Sequence, residues 1–333
     1  MKTREVHLVA RPTGWPEPGD FAIVERELPA PADGEALVRN VLMSVDPYMR
    51  GRMNDAPSYA APYRLREVMH GAALGEVVES RSPELAVGDT VVHNLGWREH
   101  ALGPAQAFQP VRPPEGVPAS AYLSALGGTG FTAYVGLLEV AAMKPGDVVF
   151  VSAAAGAVGS MAGQIARLRG ASRVIGSAGS DRKVAYLTGR LGFDAAFDYK
   201  AGPVRDQLAA AAPDGIDVYF DNVGGDHLEA AIGAMRDFGR IAVCGMISGY
   251  NATGPRPGPR NMELVLTRRL TMRGFIIVDH AQRRPEFLRE ASGWVQRGEI
   301  TFEETYFEGL DNAVAAFLAM LHGANTGKML VRL

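Results

Sequence analysis

The sequence predicts an α/β protein in which a β-rich N-terminal region is followed by a doubly wound parallel sheet. Three observations carry this reading. Up to about residue 120, short runs of β-forming residues are separated by Gly, Pro and Asp turns. From about Ala119 onward, strand-like runs alternate with helical segments, the pattern of successive βαβ units. One of those runs, Val148-Val149-Phe150-Val151, passes through a turn of small residues straight into an amphipathic segment.

In the first region the β-forming runs lie at 6–9, 21–28, 35–45, 71–80, 89–93 and 99–102, and 35–42 alternates partly, as a half-buried strand does. In the second, strands are expected at 148–152, 173–177, 195–199, 217–221, 240–244 and 272–277. Helices are expected near 158–169, 181–191, 226–236 and 285–297. Gly170 and Gly192 follow the first two helices, where a left-handed terminal residue is favoured. Asp181 is the expected N-cap of the second helix. After Gly298 come a β-like stretch (300–307), a helix (312–321) and a last strand (328–333). The parallel sheet is therefore not at the chain's end, and the tail is expected to return to the first region.

At 333 residues the chain has room for about two domains. Its 47% hydrophobic and 21% charged residues are ordinary globular usage. A net charge of −3 leaves no basic stripe, so the electrostatic footprint of a nucleic-acid binder is missing. No secretion signal and no membrane-spanning apolar run is visible, and Asn251-Ala252-Thr253 reads as a polar loop rather than a glycosylation site. The single cysteine, Cys244, excludes a disulfide framework within the chain and points to a reducing compartment. A cytoplasmic protein is the expectation.

The turn Ser152-Ala153-Ala154-Ala155-Gly156-Ala157-Val158-Gly159 is what a dinucleotide pyrophosphate needs. Gly156 lets the backbone approach the phosphates, Gly159 lets helix and strand pack closely, and the helix N-terminus supplies N–H groups and positive dipole. Ala154 stands where the first glycine of the G-x-G-x-x-G pattern would be. NAD sites usually carry an acidic residue about twenty positions on, at the end of the second strand. Here that strand runs out through Gly176-Ser177-Ala178-Gly179-Ser180 without a carboxylate, leaving room for a 2′-phosphate. Lys183 can pair with that phosphate, the alternative being a solvated surface lysine.

Several motifs together resemble the zinc-independent medium-chain dehydrogenase/reductases of the alkenal and prostaglandin reductase group. They are Ser44-Val45-Asp46-Pro47-Tyr48-Met49-Arg50-Gly51-Arg52-Met53, Gly130-Phe131-Thr132-Ala133-Tyr134, the turn at 153–159, and 180–183. Further along come Asp221-Asn222-Val223-Gly224-Gly225, Phe238-Gly239-Arg240-Ile241, the run from Cys244 to Asn251, and Asn325-Thr326-Gly327-Lys328. One departure is Gly128-Thr129, where relatives often carry Met-Pro.

The resemblance implies a GroES-like catalytic domain (1–124), a Rossmann domain (125–298) and a C-terminal return to the first (299–333). It also implies a homodimer, with NADPH as hydride donor to carbon–carbon double bonds conjugated to a carbonyl. The implied cofactor contacts are Gly156, Ala157, Val158 and Gly159 on the pyrophosphate, with Lys183 and Tyr199 toward the 2′-phosphate. Asn222, Cys244, Gly245, Ile247, Ser248, Tyr250, Phe275, Ile276, Ile277 and Asn325 would line the rest.

No metal site is expected, because the first region has no cysteine and the histidines are scattered, with His93 and His100 the only loose pair. Nucleophile-elbow, Walker and H-E-x-x-H motifs are absent as well. Hydride addition to an enone leaves charge on the carbonyl oxygen, which calls for a hydrogen-bond donor. The candidates are Tyr250, in a Gly-rich loop past a strand end, Tyr59, in a proline-flanked segment, and Tyr48; each can instead be a packing tyrosine. Arg50 and Arg52 are either structural or phosphate-binding. The rival functions are a quinone oxidoreductase on the same scaffold and a catalytically idle NADPH-binding sensor.

Overall fold

A computed structural model describes residues 1–333, which divide into two compact units: 1–124 with 304–333, and 125–303. The tail returns at Glu304 rather than at residue 299. The reason is local. Gln164 donates to the Thr301 carbonyl and accepts from the Thr301 amide, both at 2.8 Å, so that stretch stays with the second unit.

The first unit is β-rich. Lys2–Leu8 pairs antiparallel with Phe21–Glu27 and Glu67–Val68. A larger sheet is built on the long strand Glu35–Ser44, flanked by Ala73–Ser80 and His100–Pro104. Its far edge is closed by the tail, where Lys328–Arg332 pairs antiparallel with that long strand and parallel with Glu304–Glu308. The core between these layers holds Met43, Met49, Met53, Met69, Trp97 and Phe317, all fully buried.

Lys328 is 2% exposed, and its ammonium donates to the Val45 carbonyl at 2.9 Å and to Asp46, whose other oxygen accepts from Ser44. A buried ammonium needs such partners to offset its desolvation. This pair accounts for two of the sequence motifs at once, because it clamps the turn that leads into Tyr48–Arg52.

The second unit is a six-stranded, wholly parallel sheet. Its strands are Val148–Val151, Arg173–Ala178, Ala195–Asp198, Ile216–Asp221, Met235–Val243 and Thr271–Gly274. Numbered along the chain within this unit, they lie side by side as 3-2-1-4-5-6. In that order the chain reverses its winding between Val148–Val151 and Ile216–Asp221, and a crevice opens beyond their carboxyl ends. Phe150 stacks between Phe197 and Tyr219, with centroids 5.8 and 5.0 Å away, on one face of these strands.

Three α-helices of this unit lie outside the expected set, the shortest being the five-residue Glu263–Thr267. Gly128–Val135, continued by a π-helical turn at Gly136–Val140, is interrupted by glycines, which weaken a helical pattern. They are there for space: a Cβ on Gly136 would fall 2.5 Å from the Phe275 ring and 2.6 Å from that of Phe220. Val204–Ala211 buries only Val204 and Leu208, too short a stripe to stand out. The last strand ends at Gly274, not 277, and a helical turn at Ile277–Arg283 takes over. Glu139 holds that turn through His280 and Arg283, each at 2.6 Å.

Candidate active site

The strand Val148–Val151 turns into the helix Ala157–Leu168 at the sheet's switch point. The left-handed residue of the turn is Ala153 (φ 48°), one position before the alanine expected to stand for the first glycine. A Cβ on Gly159 would lie 2.4 Å from the Ala153 carbonyl and 2.8 Å from Ala154 Cα, so only glycine fits there. No side chain caps this helix, and the N–H groups of Ala157, Val158 and Gly159 open toward the crevice without intrahelical acceptors.

The following helix, Asp181–Gly189, contrasts with it. Its N-cap is Ser180, whose hydroxyl accepts from the Lys183 amide, and not Asp181, which lies in the first turn. Capping by Ser180 leaves the end of Arg173–Ala178 without a carboxylate of its own. Burial lowers the Lys183 ammonium from its usual range, and Arg182 and Lys200 push it the same way. Tyr199 lies against the Gly179 backbone and packs edge-on over His227, with centroids 5.3 Å apart. His227 is buried, and burial lowers its imidazole to about 4, so the ring under Tyr199 is neutral. Lys200 and His227 escaped the sequence reading because they converge only when the strand ends are side by side.

At the carboxyl end of Ile216–Asp221, a buried polar network sets the next residue. The Tyr219 hydroxyl donates to Asp221 Oδ1 at 2.7 Å and lies 3.0 Å from Ser152 Oγ. The same Asp221 oxygen accepts from the amides of Val223 and Gly224 at 3.0 and 2.8 Å, while Oδ2 is buried without a partner. Burial outweighs these donors and raises the Asp221 carboxyl. Asn222 is held at both ends of its residue: its amide N–H reaches Ser152 Oγ at 2.9 Å, and its side-chain Nδ2 reaches the Ser152 carbonyl at 2.8 Å.

The segment from Cys244 to Tyr250 is sewn onto this end. Cys244 and Gly245 donate their amides to the Asp221 carbonyl, and the Ser248 hydroxyl donates to that of Val223 at 2.6 Å. Asn222, Cys244, Gly245, Ile247, Ser248 and Tyr250 thus come together as one lip. Burial, reinforced by Asp221, pushes the Cys244 thiol up to about 12, so it is no nucleophile. Tyr250 is raised by burial, with the Met246 backbone working the other way. Phe275 packs edge-on to Phe220 and His280 at the far side of the sheet, followed directly by Ile276 and Ile277.

The remaining candidates belong to the first unit. Tyr48 and Tyr63 are both raised by burial, and each senses Asp46, Arg52 and Tyr59, so three tyrosines and one arginine form a cluster. Tyr59 is 63% exposed. Tyr63, which sequence reasoning passed over, donates to the His70 carbonyl at 2.6 Å under the Arg52 guanidinium, 4.2 Å from its ring. Both arginines are structural here. Arg50 is 3% exposed and holds the Gly14 carbonyl and Asn54 Oδ1 at 2.8 and 2.7 Å; Arg52 holds the Ala61 carbonyl at 2.9 Å. Asn325 donates from Nδ2 to the Gly327 carbonyl at 2.7 Å. No group of three or more His, Cys, Asp or Glu side chains is placed to hold a metal ion.

Residues 4–111 match the family model described as the N-terminal domain of oxidoreductase, and 157–293 match the one described as zinc-binding dehydrogenase. The chain is 40% identical to the NADPH-dependent curcumin reductase of Escherichia coli, over 100% of this chain and 97% of the relative. It is 43% identical to prostaglandin reductase 1 of Mus musculus, over 96% and 95%. Among solved structures, CurA from Vibrio vulnificus in complex with NADPH is 42% identical and superposes with a TM-score of 0.92, covering 99% of this chain and 98% of that one.

Proposed function

Because the chain belongs to the alkenal and prostaglandin reductase group of the medium-chain dehydrogenase/reductases, we propose that it uses NADPH to reduce the carbon–carbon double bond of α,β-unsaturated aldehydes and ketones. One observation carries the reading. A chain 40% identical throughout to an NADPH-dependent curcumin reductase has an uncapped helix N-terminus at its switch point and lysines, not a carboxylate, beyond its second strand.

The residues present fit such a cofactor. The cradle at Gly159 has no room for a Cβ, and the free N–H groups of 157–159 suit a pyrophosphate. Gly156, Ala157, Val158 and Gly159 would hold the phosphates, Lys183 and Tyr199 the 2′-phosphate end, and Asn222 with Cys244, Gly245, Ile247 and Ser248 the ribose and nicotinamide. Phe275, Ile276, Ile277 and Asn325 would complete the contacts. When bound, NADPH supplies the hydride that goes to the β-carbon of the substrate.

The chain's own task is to receive the charge that develops on the substrate's carbonyl oxygen. Tyr250 suits this task. Its raised phenol keeps its proton, so its O–H is there to donate. Tyr48 and Tyr59 are the other donors. The α-carbon can take its proton from water, so no strongly acidic side chain is required. Zinc has no part in this reading, since the first unit offers no thiolate ligand. The single cysteine favours the cytoplasm, and the group favours a homodimer.

NADPH oxidation followed by absorbance across small alkenals, bulky enones and quinones tests the proposal. Turnover of enones or alkenals, with the double bond saturated in the product, is the expected result. Turnover of quinones alone would move the assignment to a quinone oxidoreductase, and tight NADPH binding without any turnover would move it to a sensor.

A further inference from the structure

A phosphate monoester carries a charge of about −1.5 to −2 at neutral pH, more than one ammonium can neutralise. Two strand ends converge where that charge would sit. The Tyr199 amide donates to the Ala178 carbonyl at 3.0 Å, which draws the residues after Ala195–Asp198 against the turn at Gly179 and Ser180. A Cβ on Gly179 would lie 3.1 Å from the Tyr199 ring and 3.3 Å from Lys200 Cε, so the end of the Lys200 side chain rests on this turn. Lys183 lies in the first turn of the helix on the turn's other side.

The Lys200 ammonium lies 5.8 Å from the centre of the Tyr199 ring, and Tyr199 is itself braced by the buried His227. The nearest carboxylate in sequence, Asp198, is turned onto the Lys200 backbone amide at 2.9 Å. Arg182 contributes to the same positive field, but as the neighbour of Lys183 on one helix it faces a different side.

We propose that Lys200 is a second specificity-determining cation for the 2′-phosphate, acting from the strand opposite Lys183, so that discrimination between NADPH and NADH is shared by two lysines. This rests on the NADPH reading above. Repulsion between like charges gathered on one turn is relieved when a dianion enters between them. The same convergence gives NADH, with only hydroxyls there, nothing comparable.

The test uses the full-length protein, its Lys200→Ala, Lys200→Arg and Lys183→Ala variants, and binding rather than turnover. Affinities are measured by titration calorimetry for NADPH, NADH, adenosine 2′,5′-bisphosphate and AMP. Lys200→Ala should weaken NADPH and the bisphosphate by about five- to thirty-fold, the loss of one charge-assisted contact, and leave NADH and AMP within about twofold. Lys200→Arg should recover most of the loss. An unchanged NADPH affinity in Lys200→Ala beside a loss in Lys183→Ala overturns the role of Lys200 and leaves the NADPH reading standing. Equal losses for NADPH and NADH in Lys200→Ala overturn it too, as disturbance of Tyr199. If neither lysine matters to the bisphosphate, the NADPH reading itself fails.

Discussion

Asn222 Nδ2 donates to the Ser152 carbonyl oxygen at 2.8 Å, and this fixes the sense of the Asn222 amide, because a carbonyl can only accept. Nδ2 is turned inward and Oδ1 is left as an acceptor at the lip of the crevice. A ligand meeting it there must bring a donor, as a ribose hydroxyl does. Asn222→Asp should therefore set a carboxylate oxygen against the Ser152 carbonyl and lose the inward bond. Affinity for NADPH and NADH should fall together, by about tenfold or more, since the ribose is common to both. Fluorescence titration with each cofactor checks this; a loss confined to NADPH would contradict it.

Gly159 and Gly163 lie on the same helix but test different things. A Cβ on Gly159 meets the backbone of the cofactor turn, at 2.4 Å from the Ala153 carbonyl, whereas one on Gly163 meets the Phe193 ring at 2.0 Å. Both Gly→Ala variants should be destabilised by about 1–3 kcal/mol, as overpacked sites are. Only Gly159→Ala should also lose NADPH affinity, because only there must the phosphate-facing turn move. Chemical denaturation and cofactor titration of the two variants, side by side, separate the effects.

His93 makes stability depend on pH. It is 6% exposed, its Nδ1 accepts from the Leu95 amide at 3.0 Å, and burial followed by the charge of Arg98 lowers it to about 3. The folded state thus keeps this ring neutral, while the unfolded chain takes up a proton below its ordinary 6.5. Stability from this group is complete above that value and is lost as pH falls from it toward the folded value, by about 2 kcal/mol at pH 5. His93→Asn can still accept from Leu95 but does not titrate. Its unfolding free energy should fall less between pH 7 and pH 5 than that of the parent protein, and equal slopes would count against the assignment.

How much of this was legible in the sequence follows from the range of each interaction. The β-runs and small-residue turn announced the parallel sheet because hydrophobic pattern and glycine spacing are local properties, and Gly159 was readable for the same reason. Ala153 was not: which residue of Ala153-Ala154-Ala155 turns left-handed depends on how the helix docks. Ser180 displaced Asp181 as cap because both are good caps, and the register of the preceding strand decides between them. Lys200, His227 and the inward amide of Asn222 needed neighbouring strand ends in place, as did Lys328 with Asp46, whose two motifs are 282 residues apart.

The donor to the substrate oxygen is the last step to test. In a tyrosine that fills this role the hydroxyl must stay protonated, be held in one orientation, and lie where the cofactor-facing loop overhangs the crevice. Tyr250 meets the first through burial, which raises its phenol. It comes close to the third through Gly245, where a Cβ would lie 3.2 Å from the Tyr250 hydroxyl, so ring and backbone are in contact. Tyr250→Phe keeps the ring and removes only the donor. Turnover of an enone should fall by roughly ten- to a thousand-fold, the range for losing one oxyanion donor, with little change in NADPH affinity. Tyr48→Phe and Tyr59→Phe should be measured with the same enone. Tyr59, largely exposed, has the least preorganisation and should show the smallest effect unless substrate itself orders it. Wild-type turnover in Tyr250→Phe together with a fall in either of the others would transfer the role to the first unit, and a fall in none would leave it to the cofactor's ribose hydroxyl.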